Sequence, residues 1–157
     1  MVATDEMSIS SSQEEVAVDQ SRLRRHMGYC LSRAGLQVRK LITRRLVAMG
    51  LNSVEFSILV LCDANTGINL RQLGDALDIS PPNLVQVIDR LIKRKLLKRV
   101  RSRLDRRIQH IHLTADGSAL LAVAEKEVAE LEREISNSFT AAERKALMKG
   151  LRKLALL

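Results

Sequence analysis

Residues Ile68–Thr114 read INLRQLGDALDIS, then PPNLVQVIDRLIKRKLLKRV, then RSRLDRRIQHIHLT, and this stretch decides the fold. Leu70, Leu73 and Leu77 recur at helical spacing after Asn69, whose partner Gln72 stands three residues on, in the manner of a capping box. Asp78-Ile79-Ser80 reads as a turn, with Ile79 plugging the angle between two helices. Ser80 is placed to cap the second helix, and Pro81 and Pro82 sit where a missing N–H costs nothing. In that helix Leu84, Val85, Ile88, Leu91 and Ile92 form an apolar stripe, leaving Asn83, Gln86, Val87, Arg90 and Lys93 outward or to the flank. After Lys95 the period drops to two. His110 and His112 alternate with Ile111 and Leu113, and Val100 lies on a partner strand, giving a hairpin with its loop at Ser102–Arg106. The order predicts a helix-turn-helix followed by a β-hairpin, a unit that presents its second helix to a DNA major groove.

Charge supports a polyanionic partner. Between Lys93 and Arg107 stand nine Lys or Arg against one acid, Asp105. The whole chain carries a formal +8, yet residues 1–20 hold Asp5, Glu6, Glu14, Glu15 and Asp19 with no Lys or Arg, so the remainder carries +13. Tyr29, Phe56 and Phe139 are all the aromatics, too few for a platform that stacks single-stranded bases, which leaves duplex.

Working outward, a polar, acidic, Ser-rich segment over residues 1–20 predicts a disordered tail. From about Arg22 to Met49 runs a helical pattern with Leu23, Met27, Cys30, Ala34, Val38, Leu41 and Leu46 on one face, closed by Gly50. Its second stripe, His26, Tyr29, Arg33, Gln37 and Lys40, is a solvated face or one wall of a cleft. Asn52 with Glu55 opens an apolar helix that ends near Asn65. Thr114 caps a long helix with a seam of Leu120, Leu121, Ala124, Val128, Leu131 and Ile135. Thr140 with Glu143 then opens a last helix through Leu147, Leu151 and Leu154. Residues 21–157 thus read as one domain: helices and a hairpin over about 52–113, which the family resemblance given below makes a winged helix, flanked by helices at about 22–49 and 114–157. The flanking seams are too extended for a small monomer to cover and predict pairing with a second copy. No internal repeat is evident.

Other classes find little support. Two cysteines make no disulfide framework, no apolar run approaches the ~18 residues that span a membrane, and the start lacks a secretory pattern; a cytosolic protein with no membrane contact is expected. The sequence has no nucleophile–base pair, metal-ligand cluster or Gly-rich phosphate loop, so neither an enzyme nor a cofactor is expected. Cys30, one turn from His26, reads chiefly as a small hydrophobe, with a redox thiol or half a metal site as the sharper alternatives.

At this point the chain resembles the MarR family of winged-helix regulators over about Arg22–Leu157. The resemblance rests on Asp105-Arg106-Arg107, on Leu113-Thr114 with Gly117, on Leu51-Asn52 with Glu55-Phe56, on Gln72-Leu73-Gly74 and on Asp89-Arg90-Leu91, in order and at family spacing. It implies a mainly helical winged helix-turn-helix that dimerises through its N- and C-terminal helices, with one recognition helix and one wing per subunit. The chain departs from the family pattern at Val85-Gln86, where Thr-Arg is common, and at Lys95, which replaces a Gly.

The expected DNA-binding set is Ser80, Pro81, Asn83, Gln86 and Arg90 on the recognition helix, with Arg103, Arg106 and Arg107 on the wing. Asn and Gln suit adenine, Arg suits guanine or phosphate. Arg90 has a second reading, a carboxylate partner inside the fold. Asp105 is expected to support the wing by holding Arg107 or another Arg in place. His26, Tyr29 and Arg33 form the candidate effector site, because an Arg one turn from a Tyr suits an aromatic carboxylate. A carboxylate across the dimer is the competing partner for Arg33. The resulting expectation is a sequence-specific regulator, acting as a repressor on a pseudo-palindromic operator and released by a small molecule. Its rivals are a nucleoid-type DNA-binding protein without an effector and a repressor sensing redox state through Cys30.

Overall fold

A computed structural model describes residues 18–101 and 109–156. The chain divides into two units, Met1–Gly35 and Leu36–Leu157. In the first, a 3-10 turn at Leu23–Arg25 precedes helix α1, Met27–Leu46, which runs on into the second unit. The one long helix expected from Arg22 to Met49 is therefore shorter, with a second 3-10 turn, Val47–Met49, at its far end. Gly50, at φ 63°, closes that turn in the left-handed region, and Leu51 N–H donates back to the Leu46 carbonyl at 3.2 Å. Residues 1–17, most of the expected acidic tail, lie outside the described residues.

The second unit continues with α2 (Ser53–Ala64), β1 (Ile68–Asn69), α3 (Leu70–Leu77), α4 (Pro81–Lys93), β2 (Leu97–Arg101), β3 (Gln109–Leu113), α5 (Ala115–Asn137) and α6 (Ala141–Leu154). All three expected capping boxes form. Asn52 Oδ1 accepts from Val54 and Glu55 N–H while Glu55 Oε2 accepts from Asn52 N–H, and Asn69 with Gln72 and Thr140 with Glu143 repeat the exchange. The wing is a three-stranded antiparallel sheet in the order β1-β3-β2, one strand more than the expected hairpin, because Ile68 pairs with Ile111. A two-residue strand leaves no alternation in a sequence to find.

One core holds this unit together. Leu46, Leu51, Ile58, Leu59, Leu73, Leu84, Ile88, Leu91, Leu97, Ile111, Leu121 and Ala124 are buried in a single cluster drawn from nearly every element. Val87, placed outward by the sequence pattern, packs against this cluster, whereas Val85, placed in the apolar stripe, is half-buried without joining it. At full burial each Leu or Ile contributes about 1.5–3 kcal/mol. By contrast α6 buries none of its residues, and Met27 on α1 is 69% exposed.

Candidate nucleic-acid interface

Helix α3 ends in a tight reversal. Asp78 takes a left-handed conformation at φ 51°, and Ile79 N–H reaches the Gly74 carbonyl at 3.1 Å. A Cβ on Gly74 would stand 3.2 Å from the Ile79 carbonyl oxygen, a close contact that the turn would have to open by a few tenths of an ångström. Helix α4 begins at once with Pro81 and Pro82. Ser80 holds the N-cap position but makes no side-chain cap bond.

Burial of Leu84, Ile88 and Leu91 turns the opposite face of α4 to solvent. Ser80, Pro81, Pro82, Asn83 and Gln86 are all exposed there, a polar, uncharged surface at the N-terminal half of the helix. An open cleft of about 800 Å³ between α3 and the start of α4, lined by Arg71, Asp75, Ser80, Pro81 and Val85 among others, adjoins the same face.

Several cations behave otherwise than expected. Arg90 lies 3.5 Å from Glu55, which is only 6% exposed. One oxygen of this carboxylate caps α2, and the other, withdrawn from water, needs a cation. Arg90 thus has the carboxylate partner of its second reading, with its side chain still 56% exposed. Arg99 donates to Asp89 at 2.7 Å. Arg94 donates through both terminal nitrogens, to the Gly50 carbonyl at 2.6 Å and the Met49 carbonyl at 2.9 Å. Arg71, Lys93, Lys95, Lys98 and Arg101 remain on the exposed surface of the unit. The wing loop with Arg103, Asp105, Arg106 and Arg107 lies outside the described residues. At its base His110 and His112 share a face of β3, their rings edge to face with centroids 6.4 Å apart.

Lys95, the departure from the glycine pattern, adopts φ 60°. It is the C′ residue of a Schellman ending of α4: Lys95 N–H bonds the Ile92 carbonyl at 2.8 Å and Leu96 N–H the Leu91 carbonyl at 3.0 Å. Thr114 Oγ1 accepts from Gly117 N–H at 3.0 Å, capping α5, and donates to the Lys95 carbonyl at 2.6 Å. Gly117 is obligatory, because a Cβ there would fall 2.1 Å from the Leu96 carbonyl oxygen. Leu-Thr-x-x-Gly is thus the joint at which α5 lies directly on the end of α4.

The candidate effector residues lie in the first unit. His26 follows the 3-10 turn in extended backbone rather than standing on α1, so the three-residue stripe is broken at its start. Tyr29 donates its hydroxyl to Gln20 Oε1 at 2.6 Å. Arg33 is exposed and makes no ion pair among the described residues. Cys30 is exposed, correcting its reading as a buried hydrophobe, and its thiol donates to the Arg24 carbonyl. Cys62 is buried, and burial pushes its thiol from the ordinary 9.0 up to about 12, leaving it inert. Among the described residues no His/Cys/Asp/Glu group fit to hold a metal forms, and no single helix is long and apolar enough to cross a membrane.

These elements define a winged helix-turn-helix with a polar recognition face. Residues 49–108 match the MarR family. The transcriptional repressor CouR, solved on a 23-mer DNA duplex, is 35% identical, with 88% of this chain and 99% of that one aligned at a TM-score of 0.82. CouR solved with p-coumaroyl-CoA aligns at 34% identity over 88% and 98% of the two chains, TM-score 0.80. The HTH-type transcriptional regulator MhqR of Bacillus subtilis (strain 168) is 32% identical over 91 residues, 58% of this chain and 63% of that regulator. The chain belongs to the MarR family of transcriptional regulators.

Proposed function

We propose that the chain is a homodimeric repressor that reads a pseudo-palindromic DNA duplex with α4 and is released by an aromatic acid or its CoA thioester. The observation that carries the reading is the exposed, uncharged polar face of Ser80, Asn83 and Gln86 on a helix whose other face is fully buried. Polar side chains free of internal charge partners discriminate base edges, whereas phosphates are held by cations. Gln86 suits adenine in the major groove; Asn83 and Ser80 take the neighbouring bases or backbone; Pro81 sets the start of the helix. Arg103, Arg106 and Arg107 supply the wing's contacts, with Asp105 as their carboxylate support. Recognition helices of two subunits enter successive major grooves about 34–36 Å apart.

The dimer is supported by the apolar residues that α6 leaves exposed, Leu147, Met148, Leu151 and Leu154. Effector binding is assigned to Tyr29 and Arg33, with His26 beside them. The nearness of CouR, solved with p-coumaroyl-CoA, supports an aromatic acyl group as the ligand class. Coupling of ~1–3 kcal/mol between the ligand and DNA sites changes affinity by up to ~150-fold, enough for a switch.

Fluorescence anisotropy on a duplex enriched from a random pool tests the reading. Gln86→Ala and Arg106→Ala are each expected to weaken binding, and undiminished affinity in both would refute it. A thermal-shift screen of p-coumaric acid and p-coumaroyl-CoA, repeated with Arg33→Ala, tests the effector site. Stabilisation by either compound that the variant loses supports the assignment, and equal stabilisation of both proteins removes Arg33 from it.

A further inference from the structure

The C-terminal end of α4 is held quite differently from its N-terminal end. Three separate ties converge on it. Arg90 pairs with Glu55 at the start of α2. The Lys95 and Leu96 carbonyls accept from Thr114, Oγ1 and N–H respectively, at the start of α5. Arg94, the C-cap residue of α4, spans 44 and 45 residues of chain to the Gly50 and Met49 carbonyls that close the end of α1. The N-terminal half, with Pro81, Pro82, Asn83 and Gln86, is exposed.

The Arg94 tie is the most specific of the three. The turn after α1 leaves carbonyls without helical partners, and a planar two-pronged cation meets two of them at once. Gly50 is called for by its φ of 63°; a Cβ there would only touch the guanidinium, 3.4 Å from Arg94 Nη2 and 3.7 Å from its Cζ. A lysine has one point of charge and fills only one of the two positions.

We propose that Arg94 is a positioning residue for DNA reading: it locks the recognition helix to the end of α1, so that displacement of that end is carried to Asn83 and Gln86. The proposal rests on the regulator reading above. It also removes Arg94 from the cations that hold phosphates, although its sequence neighbourhood places it among them. With Glu55 of α2 and Thr114 at the start of α5 gripping the same end, α4 moves only with the helices that hold it.

The test compares Arg94→Lys and Arg94→Ala with the parent in the full chain. The first readout is amide hydrogen exchange, which needs no DNA. Both variants are expected to exchange about tenfold faster at Met49–Leu51 and Leu91–Leu96, with α6 unchanged as internal reference. The second readout is affinity for the enriched duplex and for random duplex over a range of salt. Both variants are expected to bind the enriched duplex about tenfold more weakly, with random-duplex binding and the slope of log affinity against log salt unaltered. Arg94→Lys with parental exchange and parental affinity would overturn the proposal. So would a salt slope reduced by about one on both duplexes in Arg94→Ala, the mark of a phosphate ligand. A parent protein that enriches no duplex would refute the regulator reading instead, and the exchange readout would still decide whether Arg94 locks the two helices.

Discussion

Helices α4 and α6 have nearly the same length, 13 and 14 residues, and both are amphipathic, yet their apolar faces end in opposite conditions. On α4, Ile88 and Leu91 have no exposed surface and Leu84 almost none. On α6, Leu147 is 42% and Met148 44% exposed, and no residue is buried. An apolar stripe therefore reveals that a helix must be covered without revealing by what. The face of α4 is satisfied within its own chain, which leaves its polar side free to meet a ligand. The face of α6 is what a second copy covers under the proposed assembly, and that copy supplies the second recognition helix.

The largest effect separates these two conditions. Leu147→Glu with Leu151→Glu removes four leucines from a symmetric interface, about 6 kcal/mol or more at ~1.5–3 kcal/mol each. Sedimentation is expected to show half the parental mass, with helical content largely kept and duplex binding lost by about 100-fold or more. An unchanged mass would mean that α6 does not form the interface. Next comes the joint between α4 and α5. Gly117→Ala drives a Cβ into the Leu96 carbonyl and is expected to cost about 3 kcal/mol, lowering the melting temperature by roughly 6–12 °C. Gln86→Ala acts on the free side of α4 alone. It should reduce affinity for the enriched duplex by about 1–3 kcal/mol and relax selection at one base, with melting unchanged. The smallest effect lies in the Schellman turn. Lys95→Gly relieves a left-handed non-glycine residue and is expected to raise the melting temperature by about 2–4 °C, or ~1 kcal/mol.

The same contrast explains what was legible in the sequence. Periodicity found α2, α3, α4, α5 and α6, and the cap patterns at Asn52, Asn69 and Thr140 found where three of them start, because those signals are local. Lys95 stands where the family pattern has a glycine, and it adopts the left-handed conformation. The pairing of Ile68 with Ile111 was not legible, since it depends on a residue 43 positions away and on no alternation within two residues. Cations were harder still. Arg90, Arg94 and Arg99 look alike as charges, and only the fold shows that Glu55, two carbonyls and Asp89 engage them. Glu55 is the carboxylate that the second reading of Arg90 called for, and its burial is visible only in the fold. His26 was placed on the wrong backbone, because helical spacing continues through a residue that is itself extended.

The central claim is that α4 reads duplex DNA as one half of a symmetric pair. Selection of bound duplexes from a random pool, followed by sequencing, tests it most directly. The account expects an enriched pseudo-palindrome whose half-sites lie about one helical turn apart, with Gln86→Ala relaxing the same base in each half. A pool that stays random, or an enriched sequence without two-fold symmetry, would contradict it.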